Sequence, residues 1–272
     1  MGIYDGIYLY TDLDGTLLND KKTIPEANMR AIEKFIANGG RFGIATGRSA
    51  HNLSFFPEVL PLNAPSILDN GGVLYDVRGR RFIDCTYISR EKSIEVVNRL
   101  IEISPTASVQ VYTCDARYQV NLNPERIEDP LVGLEGINEP LCRAEDVPGE
   151  WIKIVICEPE ELLKRTLGHL DIDALNKEFA TVLSGKLYFE FFSLGMSKGR
   201  GIDAIREKEP SAKKILAIGD YYNDLEMLKK ADVSCAPANA EQDIKDVVDY
   251  VVCDNNSGAV ADFLRIALGI EI

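Results

Sequence analysis

The chain has 272 residues, 46% of them hydrophobic, enough to bury one large core or two modest ones. Its 30 Lys and Arg against 43 Asp and Glu leave a net charge of −13, a balance that repels a nucleic-acid backbone and has no dense basic block to offset it. No apolar run approaches the ~18 residues of a membrane span.

Gly6-Ile7-Tyr8-Leu9-Tyr10-Thr11 is apolar and rich in β-branched and aromatic residues, and reads as a buried strand. Pro25-Glu26 opens a helix with Ile32, Phe35 and Ile36 at helical spacing, closed by Gly39-Gly40. Arg41-Phe42-Gly43-Ile44-Ala45 is a second strand, followed by Thr46-Gly47-Arg48 and a short helix; Pro65-Ser66-Ile67-Leu68 is a third strand. The tail repeats this rhythm. Lys214 to Ile218 is a strand, Asn223 to Lys230 a helix, Val233-Ser234-Cys235 a strand, Asp243 to Val247 a helix and Tyr250-Val251-Val252 a strand, before a final helix through Phe263-Leu264. Alternating strands and helices imply an α/β, doubly wound, mostly parallel sheet.

Between these ends the pattern changes. The hairpin signal Asp76-Val77-Arg78-Gly79-Arg80 leads to a helix with Ile94, Val97, Leu100 and Ile101 on one face. Strands follow at Val109 to Tyr112, Tyr118 to Val120, Trp151 to Ile156 and Leu187 to Phe192, with a helix near Glu160 to Leu170. Consecutive strands with two good helices predict an antiparallel sheet backed by helices, an α+β module. The expected organisation is therefore a core of residues 1–84 and 193–272 with an inserted α+β domain of residues 85–192.

Asp12-Leu13-Asp14-Gly15-Thr16 leaves the first strand at its C-terminal end, the rim where open α/β sheets bind ligands. Two acids one residue apart can hold a hard cation such as Mg²⁺ and still serve as nucleophile and proton donor; the alternative is a polar turn. A calcium loop is excluded, because its glycine belongs at position six and here it falls at position four. At the end of the second strand, the Thr46 hydroxyl, the Gly47 amide and Arg48 can all donate to a phosphate, or Thr46 or Ser49 can cap a helix. Gly195-Met196-Ser197-Lys198-Gly199 matches the G-x-S-x-G nucleophile elbow, but that triad needs a histidine after the serine. Only His51 and His169 exist, both earlier, so the elbow is excluded and Lys198 remains as a point charge for phosphate or as an ordinary surface lysine. Gly219-Asp220-Tyr221-Tyr222-Asn223-Asp224 follows the fourth core strand. Capping accounts for Asn223 or Asp224 but not for Asp220. In a 3-2-1-4-5 strand order Asp12 and Asp220 converge, and a divalent cation between them would relieve their repulsion.

In chain order these elements resemble the haloacid dehalogenase superfamily. The middle insert, with Pro65-Ser66-Ile67-Leu68-Asp69-Asn70-Gly71-Gly72 before it, resembles the Cof-like branch with its α+β cap (subclass IIB). The resemblance covers essentially the whole chain and implies a Rossmann-like core. It further implies Asp12 as the nucleophile that becomes an aspartyl-phosphate and Asp14 as general acid and then base. Thr46, Gly47, Arg48, Lys198 and Asn223 are the implied phosphate-binding residues. Asp12, Asp14 (through its backbone carbonyl), Asp220 and Asp224 are the implied Mg²⁺ site, with Asp224 either a ligand or one step behind. The expected activity is Mg²⁺-dependent hydrolysis of a small phosphomonoester, a sugar phosphate or related metabolite; a phosphomutase or a non-catalytic binder of a phosphorylated metabolite are the alternatives. The expected partner is that metabolite, with neither nucleic acid nor membrane, and the sequence leaves oligomeric state and substrate open. Met1-Gly2-Ile3-Tyr4-Asp5 lacks the basic flank of a secretion signal, and position six lacks the Ser or Thr of myristoylation. Cys85, Cys114, Cys142, Cys157, Cys235 and Cys253 form no C-x-x-C pair, so the cytoplasm is the expected address.

Overall fold

The computed structural model describes residues 2–50, 53, 59–121, 141–184 and 187–271. The chain forms two compact units, one comprising Met1–Asp84 with Ser197–Ile272, the other Cys85–Met196. Among the described residues no helix is long and apolar enough to cross a membrane.

The first unit is built on a five-stranded parallel sheet. Its strands are β1 (Ile7–Thr11), β2 (Arg41–Ile44), β11 (Lys214–Ile218), β12 (Val233–Pro237) and β13 (Tyr250–Val252), in the order β13-β12-β11-β1-β2. A parallel bridge from Ala45 to Ile67 adds β3 (Ser66–Leu68) beyond β2, which gives the expected 3-2-1-4-5 order and one strand more. The central strands β1 and β11 are continuous apolar runs because both faces are covered. Tyr8, Leu9, Tyr10 and Ile215 to Ile218 are all fully buried. On one face Tyr8, Tyr10, Ile215 and Ala217 share a cluster with Ile202 and Ile205 of α5 (Lys198–Lys208) and Met227 and Leu228 of α6 (Leu225–Lys230). Elsewhere in the unit α1 (Glu26–Ala37) packs on α8 (Ala259–Leu268), and the side-chain Oδ1 of Asn28 accepts from the Ala261 amide at 2.9 Å. The turn Asp76 to Arg80 joins β4 (Val73–Asp76) to β5 (Arg81–Cys85), and β3, β4 and β5 form a second small sheet.

The second unit is the expected α+β module. Its antiparallel sheet comprises β6 (Ser108–Thr113), β7 (Arg117–Asn121), β8 (Trp151–Cys157), β9 (Phe179–Ser184) and β10 (Tyr188–Ser193), in the order β7-β6-β8-β10-β9. Val109, Val111, Ile154, Ile156, Phe189 and Phe191 on one face pack with Val97 and Leu100 of α2 (Arg90–Ile103) and Leu163 of α3 (Glu160–Leu167). The other face carries the buried polar residues Gln110, Arg117, Lys153 and Glu190, with Lys153 Nζ 2.9 Å from Glu190 Oε2.

Strand β9 and the start of α6 differ from the sequence reading. Strand β9 was not expected, because as an edge strand it leaves Leu183 59% exposed and lacks a clean in-out alternation; its pairing with β10 creates it. The helix expected from Asn223 begins instead as a 3₁₀ turn, Tyr222–Asp224, before α6. The short helix expected after Arg48 lies outside the described residues.

Gly43 sets how closely β2 and its neighbours approach. A Cβ there would lie 2.7 Å from Tyr10 Cε1 and 2.8 Å from the Pro65 carbonyl oxygen, the same oxygen that accepts from the Tyr10 hydroxyl at 3.0 Å. Gly43→Ala should therefore destabilise the first unit by about 1–3 kcal/mol, as overpacking of a closed core does. Urea unfolding would show this as a lower midpoint at unchanged m-value; an unchanged midpoint would mean that the sheet has slack there.

Candidate active site

The strand register assembles the site. Thr11 pairs with Ile218 on β11 and with Ile44 on β2, so Asp12, Ala45 and Gly219 leave the sheet at one level. The Asp12 amide still donates to the Ile218 carbonyl at 3.0 Å, and the Thr46 amide to that of Ile67 at 2.9 Å. Residues far apart in sequence thus share one rim at the C-terminal ends of the strands. This is the place that open α/β sheets give to ligands.

At the centre of that rim lies Lys198, fully buried as the first residue of α5. Its Nζ is 2.6 Å from Asp12 Oδ1 and 2.6 Å from Asp224 Oδ1. A cation at a helix N-terminus opposes the helix dipole, so the two carboxylates must hold it. Burial alone would lower the Lys198 pKa, but the charges of Asp12 and Asp224 outweigh it and raise the value. The glycines beside Lys198 are packing requirements. A Cβ on Gly199 would meet the Glu226 backbone of α6, and one on Gly201 would meet Ile67 of β3. Ser197 is the N-cap of α5, its hydroxyl accepting from the Arg200 amide at 3.1 Å.

Asp220 completes an acidic group. One ligand atom from each of Asp12, Asp220 and Asp224 lies within 4.8 Å of the others. Asp224 Oδ2 accepts from the amides of Asp220 (3.0 Å) and Tyr221 (3.2 Å), so both its oxygens are occupied by protein donors. Thr16 Oγ1 donates to Asp220 Oδ1 at 2.6 Å. Gly15 has φ +85, and a Cβ there would sit 2.5 Å from Asp220 Oδ2, so only glycine lets the Asp12 loop pass this close. Three carboxylates share one ammonium, and the surplus shows. Burial, with the charges of Asp224 and Asp220 adding to it against the attraction of Lys198, pushes Asp12 up to about 7. Burial, with Asp224 adding to it against the Thr16 hydrogen bond, pushes Asp220 up to about 6. Such a hard-oxygen set with excess negative charge fits a divalent cation, for which Asp12 and Asp220 have the oxygens to spare.

Asp14 turns elsewhere. Arg48 grips both its oxygens, with Nη2 at 3.0 Å from Oδ2 and 3.1 Å from Oδ1, and Lys22 Nζ is 2.7 Å from Oδ1. Partial burial would raise its pKa, but the Lys22 and Arg48 contacts prevail and lower it. Its side chain is therefore outside the Asp12–Asp220–Asp224 group. The Thr46 hydroxyl accepts from the Arg48 amide at 3.2 Å, closing a local turn. The Asn70 amide donates to the Thr46 carbonyl at 3.1 Å, and the Asp69 amide to that of Arg48 at 3.0 Å, which ties the loops after β2 and β3 together. Asp69 (φ 49) and Asn70 (φ 52) hold left-handed backbone in this turn. There Asn70 Oδ1 accepts from Asn223 Nδ2 at 3.2 Å, and Gly47 packs beside the same amide.

The candidate residues fall into three contacting sets: Asp12, Lys198, Asp220 and Asp224; Thr46, Gly47 and Asn223 around Asn70; and Asp14 with Arg48. In the sequence Asn70-Gly71 reads first as a turn and second as a strand-end residue able to approach the site, and neither Thr16 nor Lys22 has an assigned role. The strand-end position of Asn70 was a usable signal. Nothing in the sequence marks Lys22 as the partner of Asp14.

A family model described as haloacid dehalogenase-like hydrolase matches residues 9–264. Among curated proteins, the chain is 28% identical to 5-amino-6-(5-phospho-D-ribitylamino)uracil phosphatase YwtE of Bacillus subtilis (strain 168), over 93% of this chain and 95% of that protein. It is 28% identical to a phosphoglycolate phosphatase of Methanopyrus kandleri, over 94% of each. Its fold is that of a haloacid dehalogenase-like hydrolase from Bacteroides thetaiotaomicron, with a TM-score of 0.81 at 23% identity, over 97% of this chain and 100% of that one.

The raised acids make a signed prediction about stability. With folded values near 7 (Asp12) and 6 (Asp220) against an ordinary 3.8, the native state holds more protons than the unfolded one between about pH 4 and 7. Stability from this pair is therefore lost as pH rises through that window. In chelator at pH 7.5, Asp220→Asn should be more stable than wild type by about 1–3 kcal/mol, the gap closing near pH 4. Millimolar Mg²⁺ at pH 7.5 should raise the melting temperature of wild type more than that of the variant. Equal stability of the two proteins at both pH values would show that Asp220 carries no unfavourable charge.

Proposed function

The chain belongs to the haloacid dehalogenase-like hydrolases and is a phosphatase, and from that premise we propose that it hydrolyses a small phosphomonoester, a sugar phosphate or related metabolite, through an aspartyl-phosphate on Asp12 with Mg²⁺ as cofactor. The observation that carries this reading is the buried Lys198 held between Asp12 and Asp224 at the strand ends, beside Asp220. An acid that merely capped a loop would need no buried ammonium and no second acid buried beside it.

Each residue has a task in this reading. Asp12 attacks phosphorus with the oxygen that Lys198 does not hold, while the ester bond breaks and Asp14 protonates the departing alkoxide. Asp14 then removes a proton from the water that attacks the aspartyl-phosphate, which frees inorganic phosphate and restores the Asp12 carboxylate. Thr46, Gly47, Lys198 and Asn223, with Arg48, hold the phosphoryl oxygens. Asp12, the Asp14 carbonyl and Asp220 hold the cation, and Asp224 stands behind them because its oxygens are taken by Lys198 and two amides. When bound, the cation neutralises the charge that Asp12, Asp220 and the phosphoryl group would otherwise accumulate. Arg48 and Lys22 keep Asp14 ionised at rest; a phosphate dianion beside Arg48 competes for the guanidinium, loosens that hold and lets Asp14 take from solvent the proton it gives to the alkoxide. In the same reading residues 1–84 and 193–272 are the catalytic core, and residues 85–192 are a cap that reads the leaving group.

Purified protein should release phosphate from an aryl phosphate, lose the activity in EDTA and regain it with Mg²⁺. Asp12→Asn should reduce turnover by at least about 10³-fold with circular dichroism unchanged, as loss of a covalent nucleophile does. Turnover of that variant within a few-fold of wild type would remove Asp12 as nucleophile, and full activity in chelator would remove the cation.

The two N-terminal acids separate on substrate choice. A sugar alkoxide needs a proton to depart and a nitrophenolate does not. Asp14→Asn should slow sugar-phosphate turnover at the first step, yet release a burst of about one nitrophenolate per site from p-nitrophenyl phosphate before slow phosphate release. Stopped-flow traces lacking the burst, with equal losses on both substrates, would show that Asp14 is not the acid and base.

A further inference from the structure

Cys85 and Cys114 lie 29 positions apart in sequence, yet their sulfurs are 3.4 Å from each other. Both belong to the second unit, and both are half-buried, so small reagents can reach them. Cys85 closes β5 and is the first residue of that unit, at the point where the chain leaves the first. Cys114 sits in the turn between β6 and β7. That turn is fixed, because the Thr113 hydroxyl accepts from the amides of Asp115 (3.2 Å) and Ala116 (3.1 Å). The Tyr87 hydroxyl contacts Cys114 Sγ at 3.6 Å. This engagement with sulfur, with partial burial behind it, keeps the phenol protonated well above its usual range, so it can donate to a thiolate at Cys114. Simple packing does not call for two thiols and a hydroxyl at one accessible point, and the sulfurs need close by only about 1.4 Å to reach bonding distance.

We propose that Cys85 and Cys114 form a reversible redox modification site, joined as a disulfide by low-molecular-weight disulfides such as oxidised glutathione. One cysteine thiolate attacks a glutathione sulfur, forming a mixed disulfide and releasing one glutathione thiolate. The other cysteine then attacks the protein sulfur of that mixed disulfide and expels the second glutathione. The protein loses two protons and two electrons, and one oxidised glutathione becomes two reduced ones. The bond fastens the first residue of the second unit to its β6–β7 turn. It thereby stiffens one of the two chain crossings between the units and slows the steps of turnover that require the second unit to move. This effect on rate rests on the phosphatase reading; formation of the bond does not.

The test uses the full-length protein incubated with millimolar oxidised glutathione, trapped with iodoacetamide and digested with trypsin. Cleavage at arginine places Cys85 in the peptide Phe82 to Arg90 and Cys114 in the peptide Leu100 to Arg117. The expected product is these two peptides linked, two hydrogens lighter than their sum and separated again by dithiothreitol. It should be absent from Cys85→Ser and Cys114→Ser. Oxidised wild type should lose roughly two-fold or more in kcat, restored by dithiothreitol, with both variants unaffected by the oxidant. Full alkylation of both cysteines, stable glutathione adducts on them, or links to other thiols would overturn the site. A linked peptide with unchanged kcat would overturn the control of turnover while leaving the phosphatase reading intact. Failure of every form to release phosphate would overturn that reading and leave the linked peptide standing.

Discussion

The first unit depends on one arrangement of charge: a buried ammonium, Lys198, between the carboxylates of Asp12 and Asp224. Burying ions costs several kcal/mol each unless they are paired, and removing one partner from such a set leaves an uncompensated charge. The fold provides the pairing from three separate segments. Asp12 comes from the end of β1, Lys198 from the first residue of α5, and Asp224 from the turn after β11. The set is nevertheless unbalanced, because Asp220 brings a further carboxylate and the ammonium is single. Burial, with the neighbouring carboxylates adding to it, pushes both Asp12 and Asp220 up in pKa, which favours a further positive charge beside them.

The backbone around this set is shaped to permit it. Gly15 lets the loop after β1 pass against the Asp220 carboxylate, and Gly199 and Gly201 let α5 sit against α6 and β3. A side chain at any of them would press directly on the Asp220 carboxylate, on α6 or on β3. Asp14 shows the opposite environment. Two basic side chains face it and lower its pKa, so acids two residues apart in sequence are pushed in opposite directions. A pair of titratable groups driven apart in this way is the usual basis for giving two acids different chemical tasks.

Legibility of the fold followed periodicity. The central core strands β1 and β11 are buried apolar runs, so their positions in the sequence and the alternation of strands with helices identified a doubly wound sheet. Strand β9 escaped because an edge strand with Leu183 exposed carries little pattern of its own. The 3₁₀ start of α6 escaped because Asn223 and Asp224 suit a helix N-terminus and a tight turn equally well. At the candidate site, strand-end position singled out Asp12 and Asp220. Lys198 in isolation read as readily as a surface residue, and Asn70 as a turn; burial and the contact with Asn223 distinguish them.

The sequence by itself determined which acids stand at strand ends and in what order they come, because acids at the ends of apolar strands are a local pattern. Only the tertiary structure decided their pairing. Asp12 and Lys198 are 186 positions apart, Thr16 and Asp220 are 204, and nothing local records that they meet. The register of β1 against β11 and β2 sets them level, and the glycine contacts set the distance. The charge each acid carries then follows from what has been buried beside it: Asp12 with more carboxylates than cations, and Asp14 with Arg48 and Lys22.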